Sequence, residues 1–223
     1  MAISKFNYNS FNVTPVASKA LAFDADADGF TTASGSSMIL IKTLTASSSG
    51  TLSFVNGSSD VVLDDTYPVY KFEFINMHPQ TNDKGLQVNV SIDTGSNYNV
   101  AKTTTFFRAY HYEHGNEGGL AYQTAQDLAQ GTGFQDFTEG GISNDNDCSL
   151  SGEFFLFSPA NTTFVKHFMG KFNLIKSAAG GVSINSFVAG YANTTSAVDA
   201  VQFKMNAGNI DAGKIKLYGI SDS

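Results

Sequence analysis

The chain has 223 residues, a net charge of −7 and only 15% charged residues. That balance argues against duplex nucleic acid as a partner and disfavours docking on an anionic membrane, since both need clustered Lys and Arg. The length suits one large β-domain or two small ones and buries enough surface to need neither disulfide nor metal staple.

Composition leans towards sheet, with 19 Phe, 9 Tyr, 21 Gly and no Trp. Aromatic and β-branched residues suit a pleated, half-buried surface, and Gly, Asn and Ser suit the turns between strands. Met1 to Ser10 has one Lys and no apolar core, so it does not read as a secretory signal. The longest apolar runs, such as Met38–Ile41, are far too short to span a bilayer.

In chain order, residues 1–35 show no sustained period and are expected to form an extended N-terminal arm. Residues 36–223 are expected to form the body. Ser37–Thr45 and Thr51–Val55 read as a hairpin around Ser47–Gly50. Val69–Asn76 alternates, with Tyr70, Phe72 and Phe74 on one face and Lys71 and Glu73 on the other. Leu86–Asp93 alternates too: Leu86, Val88, Val90 and Ile92 are predicted inward, and Gln87, Asn89, Ser91 and Asp93 outward. Further strands are predicted at Thr104–Tyr112, Leu150–Phe157, Thr163–Ile175, Ile184–Tyr191, Val198–Met205 and Lys214–Tyr218. Gly118–Phe137 has no clear pattern; Ala121–Gln130 fits a short helix or a long loop. About ten closely spaced strands without alternating helices predict an antiparallel, jelly-roll-like β-sandwich.

Motifs for chemistry are sparse. Asp24-Ala25-Asp26-Ala27-Asp28-Gly29 matches half a calcium loop, but the twelfth position, which should carry a bidentate acid, is Gly35. A polar turn between two short strands is the preferred reading. Asn144–Asp147 reads as a solvated loop. His111 and His114, on a strand, point to opposite faces, His78 precedes Pro79 in a turn, and His167 lies within a strand. No nucleophile elbow, phosphate loop, dinucleotide loop or zinc-protease motif is present. Cys148 is the single cysteine and sits in an acidic loop. No metal, cofactor or catalytic residue is therefore expected. Spacing alone does not exclude two carboxylates across a groove, which is all glycan hydrolysis requires. Tyr110, Tyr112, Tyr122 and Tyr191 are available to stack on sugars or fill the core. Tyr112 and Tyr122, flanking the irregular region, are the candidate glycan or receptor contacts.

Ser18–Phe30 resembles a short unit of tail-fibre and appendage proteins of tailed bacteriophages, K-x-L-x-x-(N/D)-x-x-x-D-G-F, carried here by Lys19, Leu21, Asp24, Asp28, Gly29 and Phe30. Tyr70–Ile220 resembles virion structural proteins of marine tailed phages. The phrases that carry the likeness are Thr104–His111, Thr163–Met169 and the closing Gly208–Ile220. The resemblance implies a virion protein, assembled in a host cytoplasm and released by lysis, as a homo-oligomer with a trimer favoured. It implies other virion proteins as partners and a host surface glycan or protein as a contact. Leu21, Phe23 and Phe30 become the candidate attachment residues of the arm. A capsid decoration protein, and a carbohydrate-binding module or glycan hydrolase, are the alternatives.

Overall fold

The computed structural model describes residues 21–23, 30–32, 37–176 and 181–222. The chain divides into two compact units, Met1–Ile39 and Leu40–Ser223. In the first, β1 (Leu21–Phe23) and β2 (Phe30–Thr32) pair antiparallel, with Leu21 opposite Thr32 and Phe23 opposite Phe30. The side chains of Leu21, Phe23 and Phe30, and all of Asp24–Gly29, lie outside the described residues. The half calcium loop falls there too.

The second unit is an antiparallel β-sandwich, and no helix occurs among the described residues. Its elements are β3 (Met38–Thr45), β4 (Leu52–Val55), β5 (Val69–Pro79), β6 (Leu86–Ser91), β7 (Lys102–Tyr112), β8 (Gly118–Tyr122), β9 (Gln135–Asp136), β10 (Leu150–Phe157), β11 (Lys166–Lys176), β12 (Val182–Ala192), β13 (Ala200–Met205) and β14 (Ile210–Ile220). One sheet has eight strands in the order β3-β14-β5-β10-β11-β12-β7-β8; the other has four, β4-β13-β6-β9.

Alternation determines which face goes inside. Tyr70, Phe72 and Phe74 are buried on β5, and the intervening Lys71 and Glu73 are not. Across the sandwich, Phe203 of β13 meets Phe72 and Phe74 edge-on, with ring centroids 5.2 and 5.0 Å apart. Phe137 stacks on Phe172 at 4.1 Å and closes the same cluster. Edge-to-face pairs of this kind contribute about 0.5–1.5 kcal/mol each beyond area burial.

Three expectations are corrected and one open alternative is decided. β3 and β4 do not form a hairpin, because they belong to different sheets. Residues 46–49 instead run beside the start of β14, with Ala46 N donating to Gly213 O (2.9 Å) and Ser49 N to Ile210 O (2.8 Å). The chain thus turns a corner from one sheet to the other. On β6, Asn89 and Ser91 are fully buried, while Ile92, just past its end, is 42% exposed. The outward face of β6 is covered: Asn89 Nδ2 donates to Tyr98 O (2.6 Å) and Thr132 O (3.1 Å), and Asn89 Oδ1 accepts from Lys102 Nζ (2.6 Å). His78 and Pro79 lie inside β5 and not in a turn. No helix forms over Ala121–Gln130. β8 ends at Tyr122, and the chain folds back on the start of β7, where Leu128 N donates to Thr104 Oγ1 (2.8 Å).

Candidate functional site on the outer face of the large sheet

The eight-stranded sheet has a second face, turned away from the four-stranded one, and this face is not uniformly polar. Residues in register across neighbouring strands make two rows. One runs Phe155, Met169, Ala189, Thr105 and the other Glu153, Lys171, Phe187, Phe107, Tyr122. Ala189 and Thr105 are short and their neighbours are tall, so the surface dips. The result is an open depression of about 350 Å³ bounded by Phe107, Phe155, Met169 and Phe187. That is within the size range of small-ligand sites, roughly 300–1,000 Å³.

Its aromatic wall is a stacked pair. Phe107 and Phe187 stack in parallel, with centroids 4.7 Å apart and planes 8° from coplanar. Phe107 is 39% exposed and Met169 50% exposed, so apolar surface faces water here. Phe155 lies under the Lys71 ammonium, 5.7 Å from the ring centre.

Glu153 and Lys171 link this apolar half to a polar one. A second depression, of about 570 Å³, is lined by Glu73, Ser151, Glu153, Lys171, Asn173 and Asn185, among others. The two together form one trough along the sheet. Glu73 and Glu153 are direct cross-strand neighbours, an arrangement that is unfavourable unless compensated. Lys71 compensates Glu153 at 3.1 Å, and Lys216 approaches Glu73 at 3.9 Å, with Tyr218 donating to the same Glu73 oxygen at 3.2 Å. Lys171 makes no ion pair among the described residues. The trough and its paired lysines thus carry three ammonium groups against two carboxylates. Asn185 adds a buried Oδ1 with no hydrogen-bond partner among the described residues.

This assembly is suited to binding. No histidine or cysteine lines it, and each carboxylate has an ammonium partner.

The two tyrosines singled out from the sequence are not brought together. Tyr122 lies beside Phe107 on the outer face, 52% exposed, its hydroxyl donating to Asp127 Oδ2 at 2.6 Å. That hydrogen bond to a carboxylate raises the phenol pKa. Tyr112 is on the other face of the sheet, packed edge-on against Tyr110 at 6.0 Å and stacked on His114 at 5.1 Å. Tyr110 lies on that same side under the Arg108 guanidinium, 4.4 Å from its ring centre. His111 is on β7, whereas His114, expected on the same strand, lies in the turn beyond it. The Asn144–Asp147 segment is a loop tied by local bonds, including Ser143 Oγ to Asp145 Oδ2 at 2.8 Å. Among the described residues no group of three or more His, Cys, Asp or Glu converges.

Phe107, Phe155, Met169 and Phe187 were not singled out from the sequence, yet a signal was there. Phe106-Phe107, Phe154-Phe155, Phe168-Met169 and Phe187-Val188 are apolar doublets inside strands. A doublet breaks the period of 2 and places one apolar side chain on the face that should be wet. No family model matches the chain, and no curated protein or solved structure matches it.

Proposed function

We propose that the chain is a structural, non-enzymatic component of a bacteriophage virion, of the tail-fibre or appendage type. Its sandwich contacts the host surface through the outer face of the large sheet. The observation that carries the contact is the exposed aromatic trough on the β-scaffold, whose two acids are each paired with a lysine. Apolar surface of this kind, rimmed by polar residues, marks interaction sites on soluble domains. Support for the virion setting comes from the resemblances at Ser18–Phe30 and Gly208–Ile220. The paired strands β1 and β2, which flank the Asp-rich segment, fit the strand–turn–strand that the fibre unit implies.

We read the sandwich as jelly-roll-like, since β14 lies between β3 and β5 in the large sheet and β13 between β4 and β6 in the small one. Residues 1–35 attach the protein to the particle or to a symmetry mate, and the assembled form is a homotrimer. It is built in the host cytoplasm with other virion proteins and takes no cofactor. Gold-labelled antibody against the chain, imaged on purified virions, tests the reading. Label confined to the tail or its appendages is expected. Label spread over the head would make it a decoration protein, and an unlabelled particle would overturn the proposal.

A further inference from the structure

We propose that the outer-face trough binds a carboxylated sugar of a surface glycan, seating one face of the ring against the Phe107–Phe187 wall and its carboxylate against Lys171. The inference rests on the reading that this face contacts the host surface.

Three features select that ligand class. The first is the division of the trough into an apolar half and a polar half that share Lys171 and Glu153. A pyranose has the same division, a C–H face that lies on an aromatic wall and an equatorial rim of hydroxyls. An alkyl chain would leave Asn185 Oδ1, which has no hydrogen-bond partner among the described residues, facing it unmet, and a buried polar group without a partner is costly.

The second feature is charge. In a chain of net −7, the trough and its paired lysines hold Lys71, Lys171 and Lys216 against Glu73 and Glu153. Lys71 and Lys216 are engaged by the two carboxylates. Lys171, exposed and in register with Phe187 on the next strand, is the ammonium left to meet an anion beside the aromatic wall. A charge-assisted hydrogen bond is about twice as strong as a neutral one, so this position discriminates acid from alcohol.

The third feature is the placement of the acids: Glu73 and Glu153 are cross-strand neighbours, each engaged by a lysine, and no histidine or cysteine lines the trough, so the bound glycan is held and not cleaved.

The test is calorimetry on the full chain with tetrasaccharides of mannuronate, of galacturonate and of a glucuronate-containing glycan, each beside its carboxyl-reduced, neutral counterpart. At least one acidic tetrasaccharide is expected to bind, and its reduced counterpart to bind about tenfold more weakly, the factor expected of one charge-assisted contact. Lys171→Ala should produce the same loss for the acid and leave the neutral sugar unchanged. Ala189→Phe, which fills the dip from the solvent side, should abolish binding while both variants keep the wild-type melting temperature. Failure of all three acids to bind, equal affinity for acid and neutral forms, or insensitivity to Lys171→Ala would overturn the assignment. Release of reducing ends would overturn the binding-without-cleavage part. The outcomes also separate from those of the virion reading. Tail labelling without glycan binding sinks the trough assignment alone, and glycan binding by a chain missing from the particle sinks the virion reading alone.

Discussion

Replacing Lys102 with Met should change how the stability of the sandwich depends on pH. Lys102 is 1% exposed, and its ammonium donates to Asn89 Oδ1 and Val100 O, each at 2.6 Å. Burial lowers its pKa from 10.5 to about 8. Below the folded value both states carry the proton, and the folded chain bears the full desolvation penalty. Between the two values the folded state sheds its proton while the unfolded state keeps it, so stability rises with pH. Integrated from about pH 7 to about pH 9.5, the gain is roughly 2 kcal/mol. Lys102→Met removes the titrating group, so its stability lacks that gain. The assay is urea unfolding followed by circular dichroism at several pH values across this window. The wild type should gain about 2 kcal/mol on the variant as pH rises. Parallel pH profiles would show that the buried ammonium is solvated by means other than those described, and would refute the reasoning.

Other consequences are as direct. Phe203→Ala removes the ring that touches Phe54, Phe72, Phe74, Phe137 and Phe154, and should cost about 3–5 kcal/mol in urea unfolding; a loss below about 1 kcal/mol would contradict the central packing. Gly213, at the register shift between β14 and β5, has φ +116°, and an added Cβ would sit 2.8 Å from Met77 Cα. Gly213→Ala should therefore lower the melting temperature more than Gly57→Ala, where φ is +75° but the space is open. Asp93 is held down to a pKa of about 2 by hydrogen bonds from Ser91 Oγ and Asn97. Its folded value lies below the unfolded one, so its contribution is present above about pH 4 and lost as pH falls towards 2. Asp93→Asn should flatten the acid limb of the stability profile, and an unchanged limb would contradict the assignment.

Much of the fold was legible because β5, β13 and β14 follow a simple rule, one wet face and one dry. The rule fails on β6, where residues 98–102 and 132–133 cover the outward face and bury Asn89 against backbone carbonyls. Nothing local to β6 encodes that cover. The supposed β3–β4 hairpin fails for a related reason: a short Ser- and Gly-rich link suits a sheet-to-sheet corner as well as a turn, and only the distant Ile210–Gly213 segment decides. β8 was missed because all but one of its residues are exposed and it shows no alternation, and β9 because it has two residues. Thr163–Val165 was taken into β11, whereas Asn161 Oδ1 captures the Thr163 and Phe164 amides at 2.7 and 2.8 Å and delays the strand. The trough was illegible as a unit because its walls come from five strands, β5, β7, β10, β11 and β12, that are not all consecutive in sequence. Each wall residue looked like ordinary core until register placed it on the outer face.

Cryo-electron microscopy of intact virions at side-chain resolution bears most directly on the central claim. The account predicts density for Leu40–Ser223 on the tail or an appendage, with Phe107, Phe155, Met169 and Phe187 turned to solvent. Density with those four side chains buried against another virion protein, or no density for the chain in the particle, would contradict it.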